Sequence, residues 1–479
     1  MERRTKIVAT LGPATANSAS ISSLVRKGVD IFRINFSHGT SADHEDLFNM
    51  VRKESLSLKQ EVAILADMQG PKIRVSTFKD GKVSLIKGNK FILDPDIPEK
   101  HGDENGVGLD YKNLHNDVSI GDIIIIGDGE LRLQVEEISQ KKIICLVLVS
   151  YEISNNKGIN IKGGGISADA ITPKDIKDME HAVRLGADYI AFSFIRTASE
   201  LEYCKSLLQD LGSKASIVAK IERVEATINA EDIISASDAI MVARGDLAIE
   251  VGASEVPGIQ KKLTKIAKSL SKPVIVATQM MESMIDNSVP TRAEVSDVAN
   301  AVLDGTDAVM LSAETAVGSY PETVITTVSK VCKSAEKYNV EFLENRNYPG
   351  CNHIEKQVAI SAIQLANNVN AKAIVALTES GRTSLWMSRV RSGIPIYGLS
   401  RNIQSIRKMK LYRDVFPFYF DVTDSPYGLV NFNTVSFLEG LGFLVKGDYI
   451  VLTKGDYMGM EEGINAVKVL EVGNVRKVV

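Results

Sequence analysis

Three side chains suited to catalysis follow two short apolar runs in the middle of the chain. Lys220 and Glu222 close the run at 217–219, and Asp246 closes the run at 239–243. The polar residues between the runs have helical spacing, and this order is typical of a βαβ unit with parallel strands. Functional side chains collect at the carboxyl ends of parallel strands, so we expect these three residues on one edge.

A lysine beside two carboxylates indicates chemistry on charged oxygen atoms. Two carboxylates that leave coordination positions open favour Mg²⁺, which keeps waters and takes substrate oxygens. An ammonium near such an ion stabilises charge on a transferring phosphoryl group or on an enolate. Each residue alone is more typical of a surface ion pair. The hypothesis of a shared metal site depends on both strands ending in the same chemistry.

The elements that must position these residues form a regular rhythm of apolar runs and helical segments. The runs lie at 6–12, 30–36, 62–69, 189–195, 217–222, 240–246, 273–280 and 308–315. Eight such units predict a (β/α)₈ TIM barrel formed by residues 1–70 and 168–337, near the roughly 250 residues typical of that fold. The fold class is therefore α/β.

An insert interrupts this rhythm after Gly70-Pro71. Alternating strands with Gly-Asp turns, at 122–126, 131–137 and 143–149, predict an all-β domain, a small β-barrel, at 71–167. The glycines at 163–165 match no phosphate-loop pattern, and we interpret them as a hinge rather than a phosphate cradle. An insert hinged above a barrel edge is expected to act as a lid.

A third domain is predicted at 338–479, after a linker rich in Asn and Glu that begins beyond Lys337. Helices at 354–368 and 383–390 with strands at 373–378, 396–400 and 449–453 indicate a C-terminal α/β domain.

Other polar residues fall where the remaining barrel strands end. They are Arg33, Asn35, Ser37, His38, Asp67, Lys72, Arg74, Thr278, Gln279, Ser312 and Glu314. Cations suit phosphate oxygens and carboxylates suit a metal, so the mixture predicts a site that binds phosphates through a metal ion.

Composition excludes several classes of protein. The net charge of −4 gives no general attraction to nucleic acid, and 44% hydrophobic residues over 479 positions allow a large core. No apolar run is long enough to span a membrane, and we expect no signal peptide at the N-terminus. Four scattered cysteines (Cys145, Cys204, Cys332 and Cys351) indicate reduced thiols in a cytoplasmic protein.

The motifs carrying these residues resemble those of pyruvate kinases. They are R-I-N-F-S-H-G, G-P-K-I-R, A-K-I-E-R, A-R-G-D-L, A-T-Q-M-M-E-S-M, P-T-R-A-E-V-S-D-V-A-N-A-V-L-D-G-T-D and M-L-S-A-E-T-A. The resemblance extends over nearly the whole chain. It implies transfer of the phosphoryl group of phosphoenolpyruvate to ADP, which gives pyruvate and ATP in the last step of glycolysis. It also implies a cytoplasmic homotetramer.

The same resemblance assigns roles to the site residues. Glu222 and Asp246 would hold Mg²⁺ or Mn²⁺. Substrate would be bound by Arg33, Lys220, Gly245, Asp246, Thr278 and Ser312, and the catalytic residues would be Lys220, Arg33, Arg74 and Thr278. The nucleotide phosphates would face Asn35, His38, Arg74 and Lys157. Thr278 with a water chain is the better candidate for protonating the enolate, because a threonine hydroxyl alone is too weak an acid.

Two residues depart from the family pattern. Many members have Glu where this chain has Lys72, and they need K⁺ at residues matching Asn35, Ser37 and Asp67. The Lys72 ammonium supplies a positive charge and would repel K⁺, so we expect the enzyme not to require it. The alternative is a solvated surface lysine. Ala248 replaces the usual glycine and adds a methyl group near the carboxylate pocket.

An effector site is implied at Thr378, Glu379, Ser380, Gly381, Arg382 and Thr383, since the family binds phosphorylated activators at a loop of this type. An ordinary helix N-cap explains the same residues equally well. The second effector loop, at 454–463, has no Trp or Arg to grip another phosphate. A monophosphate, AMP or a sugar monophosphate, is therefore expected. Trp386 is expected in the core.

Two other functions remain open. One is a metabolite sensor that has lost catalysis, against which the intact Lys220, Glu222, Asp246, Arg33 and Thr278 argue. The other is a metal-dependent carbon–carbon lyase acting on enolates, which would need neither ADP nor a lid.

Overall fold

The computed structural model describes residues 2–127, 129–338, 353–390, 392–455 and 463–475. Its central feature is a closed barrel of eight parallel strands. We number them β1 Lys6–Thr10, β2 Ile31–Asn35, β3 Ala63–Asp67, β4 Tyr189–Phe192, β5 Ser216–Ile221, β6 Ala239–Ala243, β7 Val274–Ala277 and β8 Ala308–Leu311. Each strand pairs in parallel with its sequence neighbours, and β1 pairs with β8 to close the barrel. The predicted (β/α)₈ barrel is confirmed.

Helices surround the barrel and bury an apolar face against it. They span Ser18–Arg26, Ser41–Leu58, Pro173–Arg184, Ala198–Asp210, Val224–Ile228, Ala230–Ala236, Arg244–Val251, Val256–Ser269, Arg292–Asp304, Ala313–Ala316 and Pro321–Glu336, with a 3₁₀ turn at Glu282–Ile285. The sequence determines where two of these helices begin. Thr172 and Thr291 are N-cap residues, and each forms a capping box that satisfies free backbone N–H groups. Every strand residue of β1 and β6 is buried, as expected for strands covered on both faces.

The strands end earlier than the apolar runs predict. Residues 244–246 were expected at the end of a strand, but they begin the helix Arg244–Val251, and 313–315 begin another short helix. The cause is tertiary: the strand needs only enough residues to cross the barrel, and the polar residues that follow turn outward at its edge. This places Gly245 and Asp246 in the first turn of a helix.

The inserted domain consists of two sheets around its own core, and their strands are antiparallel except for the parallel pairing of Lys90–Leu93 with Gly106–Val107. A six-stranded sheet and a two-stranded sheet are present, which confirms the predicted all-β insert. The strands are Lys82–Leu85, Lys90–Leu93, Gly106–Val107, Ile123–Ile126, Leu131–Ser139, Lys142–Val147, Tyr151–Ser154 and Ile159–Ile161, with a helix at Leu114–Asp117. Buried Phe91, Leu133 and Ile143 lie in a core separate from that of the barrel.

The C-terminal domain packs against the amino-terminal face of the barrel. Its five strands, Ala373–Leu377, Ile396–Ser400, Val415–Tyr419, Tyr449–Gly455 and Ile464–Glu471, form a sheet in which only the last is antiparallel. Its helices are Ile354–Asn368, Arg382–Ser388, Ile403–Met409 and Val430–Gly440, with a 3₁₀ turn at Tyr427–Leu429. The Tyr189 hydroxyl, at the start of β4, donates to the Lys408 carbonyl at 2.5 Å.

The structure also bears on the expectations for Trp386, for the cysteines and for membrane-spanning helices. Trp386 is partly buried and packs on the apolar cluster shared by the barrel interior and the C-terminal domain. Cys145, Cys204 and Cys332 are buried free thiols, whereas Cys351 and the proposed linker at 339–352 lie outside the described residues. No helix in the described ranges has both the length and the apolar character needed to cross a bilayer.

Candidate active site

Lys220 is the centre of the polar cluster at the carboxyl edge of the barrel. Its ammonium lies 2.9 Å from Glu222 Oε1 and 3.2 Å from Asp67 Oδ1, and it donates to Ser193 Oγ at 2.7 Å. Burial lowers the pKa of Lys220, but the two carboxylates more than offset this and raise it above its usual value. The residue therefore stays charged and can stabilise negative charge on a bound oxygen.

Arg33 is fixed in the same cluster through Asp67. Its Nε and Nη2 both lie 2.7 Å from Asp67 Oδ2, and Nη1 donates to Thr10 Oγ1 at 3.2 Å. Burial raises the pKa of Asp67, but Lys220 and Arg33 hold it below its usual value. One ionised carboxylate thus orients two cations toward the same space above the barrel.

Glu222 and Asp246 follow the adjacent strands β5 and β6 and fit a divalent cation. Glu222 is buried, and its Oε2 accepts from the Phe194 N–H at 2.9 Å. Burial raises the pKa of Glu222, and the nearby charge of Asp246 raises it further. A cation held by both carboxylates would relieve this repulsion. No group of three or more potential metal ligands occurs among the described residues.

Thr278 follows β7 in an unusual backbone conformation. Thr278 and Gln279 have φ of +66° and +52°, a region that β-branched residues rarely adopt. The Thr278 hydroxyl donates to the Ala277 carbonyl at 2.6 Å and accepts from the Gly245 N–H at 2.9 Å. The hydroxyl and the Gly245 N–H, both predicted to receive a substrate carboxylate, are therefore in contact with each other.

Arg244 was not among the predicted site residues, yet it holds this turn in place. The guanidinium donates to the carbonyl oxygens of Thr278 at 2.7 Å and Gln279 at 3.1 Å. Its other side pairs with both oxygens of Asp297 at 2.8 and 2.7 Å. The signal was present in the A-R-G-D run, where only Gly245 and Asp246 were given roles.

Ser312 lies at the end of β8 and is oriented by Glu314. The buried Glu314 carboxylate accepts from the Ser312 N–H at 2.7 Å and from the Met281 N–H at 3.1 Å. Glu314 thereby joins the loops that follow β7 and β8.

Comparisons with known proteins cover nearly the whole chain. The family model described as "Pyruvate kinase, barrel domain" matches residues 2–325, and the one described as "Pyruvate kinase, alpha/beta domain" matches 356–470. The chain belongs to the pyruvate kinase family.

Individual relatives extend the comparison. The chain is 47% identical over 476 residues to "Pyruvate kinase II" of Salmonella typhimurium, covering 98% of this chain and 99% of that protein. It is 46% identical over 475 residues to "Pyruvate kinase" of Buchnera aphidicola subsp. Acyrthosiphon pisum, again covering 98% and 99%. The crystal structure of a pyruvate kinase from Cryptosporidium parvum aligns with a TM-score of 0.91 at 32% identity, over 98% of this chain and 96% of that one.

Lys72, one of the two residues expected to depart from the family pattern, reaches the proposed metal site. Its ammonium lies 3.5 Å from Asp246 Oδ1. In the described part of the chain this is its single ion pair, so it does not pair with Asp67 in the predicted K⁺ position. Two other residues assigned to the predicted K⁺ position are in contact: the Ser37 N–H donates to Asn35 Oδ1 at 3.1 Å. The cation at 72 thus sits on the Asp246 side of the site.

The residues predicted to face the nucleotide are divided between the barrel edge and the lid. His38 is exposed beyond β2. The Arg74 guanidinium donates to the Asn156 carbonyl at 2.9 Å, and the neighbouring Lys157 carbonyl accepts from the Val75 N–H at 2.9 Å. The Arg74 guanidinium therefore lies against the base of the lid.

Two glycine-containing segments, Gly70-Pro71 and residues 163–165, join the lid to the barrel. Gly163, Gly164 and Gly165 have φ of +93°, +86° and +104°, a region of backbone conformation that favours glycine. The Gly165 N–H donates to Glu225 Oε1 at 2.8 Å, and the Gly163 N–H donates to the Glu250 carbonyl at 3.2 Å. The hinge is thus anchored on the helices that follow β5 and β6.

The predicted effector loop of this pyruvate kinase chain follows the strand Ala373–Leu377. The Thr378 hydroxyl accepts from the Gly381 N–H at 3.0 Å, and Glu379 pairs with Arg401 at 3.2 Å. Most of the second effector loop, 456–462, lies outside the described residues.

Proposed function

We propose that the chain catalyses phosphoryl transfer from phosphoenolpyruvate to ADP, giving pyruvate and ATP. The observation that carries this proposal is the Lys220 cluster, in which Asp67 orients both Lys220 and Arg33 while Glu222 and Asp246 lie beside them. Cations and carboxylates gathered in this way suit a phosphorylated enol bound with a metal ion.

The chemistry requires stabilisation of charge at two places. The bond from phosphorus to the enol oxygen breaks, a bond to a β-phosphate oxygen of ADP forms, and the electron pair remains on the enol oxygen. Arg33 contacts the transferred phosphoryl group, and Lys220 stabilises the enolate. Carbon 3 then takes a proton through a water chain at Thr278, which completes pyruvate.

Mg²⁺, or Mn²⁺, is the cofactor we infer for Glu222 and Asp246. When bound, it would supply a Lewis acid for the phosphoryl and enolate oxygens. Arg74, Asn35, His38 and Lys157 are proposed to take the nucleotide phosphates once the lid closes, with Gly245 and Ser312 binding the substrate carboxylate side.

K⁺ is proposed to be dispensable. Lys72 already places a positive charge beside Asp246, at 3.5 Å, and repulsion would weaken K⁺ binding nearby.

Regulation is proposed at residues 378–383, with AMP or a sugar monophosphate as activator of a cytoplasmic homotetramer. The similarity of the T-E-S-G-R-T loop to family effector loops supports this. Ser380→Ala should weaken activation by AMP while leaving the rate at saturating phosphoenolpyruvate unchanged; light scattering after gel filtration gives the oligomeric state.

The deciding experiment measures pyruvate formed from phosphoenolpyruvate with and without ADP. Pyruvate formation that requires ADP supports the kinase, and no pyruvate formation either with or without ADP supports a lyase or a sensor. Lys220→Met should lower kcat by about a thousandfold, since it removes a preorganised charge from the reacting oxygen. A loss below tenfold would overturn the role of Lys220.

A further inference from the structure

Ser193 is a buried residue beside Lys220 to which the sequence motifs assign no role. It follows the strand β4, and its hydroxyl oxygen accepts a hydrogen bond from the Lys220 ammonium at 2.7 Å. Two carboxylate oxygens also lie near this ammonium, Glu222 Oε1 at 2.9 Å and Asp67 Oδ1 at 3.2 Å. Ser193 therefore contributes a neutral acceptor to a cluster whose other partners for Lys220 are charged.

The Ser193 hydroxyl is held in one orientation by the backbone of the neighbouring strand. It donates to the Met68 carbonyl at 2.7 Å, and the Met68 N–H donates to the Ala191 carbonyl at 2.9 Å. A hydroxyl has a single proton, so the proton engaged by Met68 leaves the oxygen lone pairs free to accept from Lys220. The position of this acceptor is thus set by the ends of β3 and β4 and not by any charge in the site.

The next residue, Phe194, holds Glu222 in the same way. Its N–H donates to Glu222 Oε2 at 2.9 Å, from a backbone with φ of +58°, which a bulky residue rarely adopts. The Phe194 ring lies 4.9 Å from the Arg223 guanidinium carbon, and it packs so close to Gly70 that an added Cβ there would lie 2.9 Å from it. Such a conformation persists only when its surroundings hold it. Two consecutive residues after β4 therefore position Lys220 and Glu222.

The two carboxylates near Lys220 have other partners, whereas Ser193 keeps its geometry. Asp67 also pairs with Arg33 at 2.7 Å, and Glu222 is the proposed metal ligand, so a divalent cation would compete with Lys220 for it. Ion pairs are attractive in many orientations, but a hydrogen bond prefers a near-linear arrangement. Ser193 is therefore the partner that can keep the ammonium in place when a cation takes Glu222.

We propose that Ser193 is a positioning residue, which keeps the Lys220 ammonium from collapsing onto Glu222 and holds it in place for the reacting oxygen. The proposal rests on the proposed function, in which Lys220 stabilises the enolate and Glu222 holds the metal. Ser193 acts through Lys220, so its effects should disappear when Lys220 is replaced.

A double-mutant cycle on Mn²⁺ affinity tests this dependence without turnover. Electron paramagnetic resonance measures Mn²⁺ binding to the full-length wild type, Ser193→Ala, Lys220→Met and the double variant, in the absence of substrate. Ser193→Ala should weaken Mn²⁺ binding about fivefold, because the ammonium left with two carboxylates pairs more tightly with Glu222. In the Lys220→Met background the same change should alter affinity less than about twofold. An equal change in both backgrounds, or a gain in the first, would overturn the proposal. This result stands even if the wild type forms no pyruvate.

Kinetics with a matched serine variant separate positioning from stability. Ser193→Ala should lower kcat about tenfold and change KM for phosphoenolpyruvate less than twofold, because a misplaced Lys220 is felt in the transition state. Ser237→Ala is the control: Ser237 is also buried and its hydroxyl donates to a backbone carbonyl, that of Ile234 at 3.0 Å, but it precedes β6 at the amino-terminal face. It should lower the melting temperature and leave kcat unchanged. Equal kcat in Ser193→Ala and Ser237→Ala would overturn the positioning role.

Discussion

Arg244 donates to the carbonyl oxygen of Thr278 at 2.7 Å. The hydroxyl of the same residue accepts a hydrogen bond from the Gly245 N–H. Two successive residues at positive φ are costly, of order 1–3 kcal/mol each, and persist only when their surroundings hold them. Arg244 provides that restraint with Asp297 as its counter-charge.

Arg244→Gln should lower kcat by about a hundredfold with a smaller change in KM, because a displaced Thr278 loses the geometry needed in the transition state. Arg52→Gln is the matched control: Arg52 also pairs with an aspartate, the buried Asp188, but on the amino-terminal face. It should change stability and leave kcat unchanged. Equal kcat losses in the two variants would show that Arg244 acts only through stability.

Lys72→Glu should create a requirement for K⁺. The wild-type initial rate should change less than about twofold when KCl is added to buffer free of Na⁺ and K⁺, because the Lys72 ammonium already supplies a positive charge near the site and repels K⁺. The variant should be nearly inactive until K⁺ is added. A tenfold rise of the wild-type rate with KCl would contradict this role for Lys72.

Gly164→Ala should impair the lid. Its φ of +86° strains any side chain, and an added Cβ would lie 2.7 Å from Glu225 Oε1. We expect a loss of about 1 kcal/mol in stability and a fall in kcat/KM for ADP. Gly212→Ala carries the same backbone strain at φ +63° in open space, away from the lid. It should lose stability and keep its kinetics; matching kinetics in the two variants would refute the hinge.

Glu250 should make stability depend on pH between about 5 and 8. Burial raises the pKa of this carboxyl from 4.5 to about 7, although Arg223 lies 3.3 Å away. Across this window the folded protein binds the proton that the unfolded chain has lost, so stability falls as pH rises, by up to about 3 kcal/mol. The melting temperature of Glu250→Gln minus that of wild type should be larger at pH 8 than at pH 5.5. An identical pH profile of melting temperature would contradict the raised pKa.

The barrel could be predicted from sequence because each strand and helix carries its own apolar period. Lys220, Glu222 and Asp246 could be predicted to converge because parallel strands end at one edge. The partner of Lys72 could not, since the chain between residues 72 and 246 includes a hinged domain whose position local sequence does not determine. Arg244 was missed for a related reason: its partners are backbone carbonyls 34 and 35 residues away, which have no side-chain signature.

Binding of Mn²⁺, followed by electron paramagnetic resonance in the absence of turnover, tests the central claim most directly. We expect one site per chain in the presence of phosphoenolpyruvate. Glu222→Gln and Asp246→Asn should each weaken it at least about tenfold, because each removes a charged ligand. Unchanged Mn²⁺ affinity in both variants would contradict a shared metal ion beside Lys220.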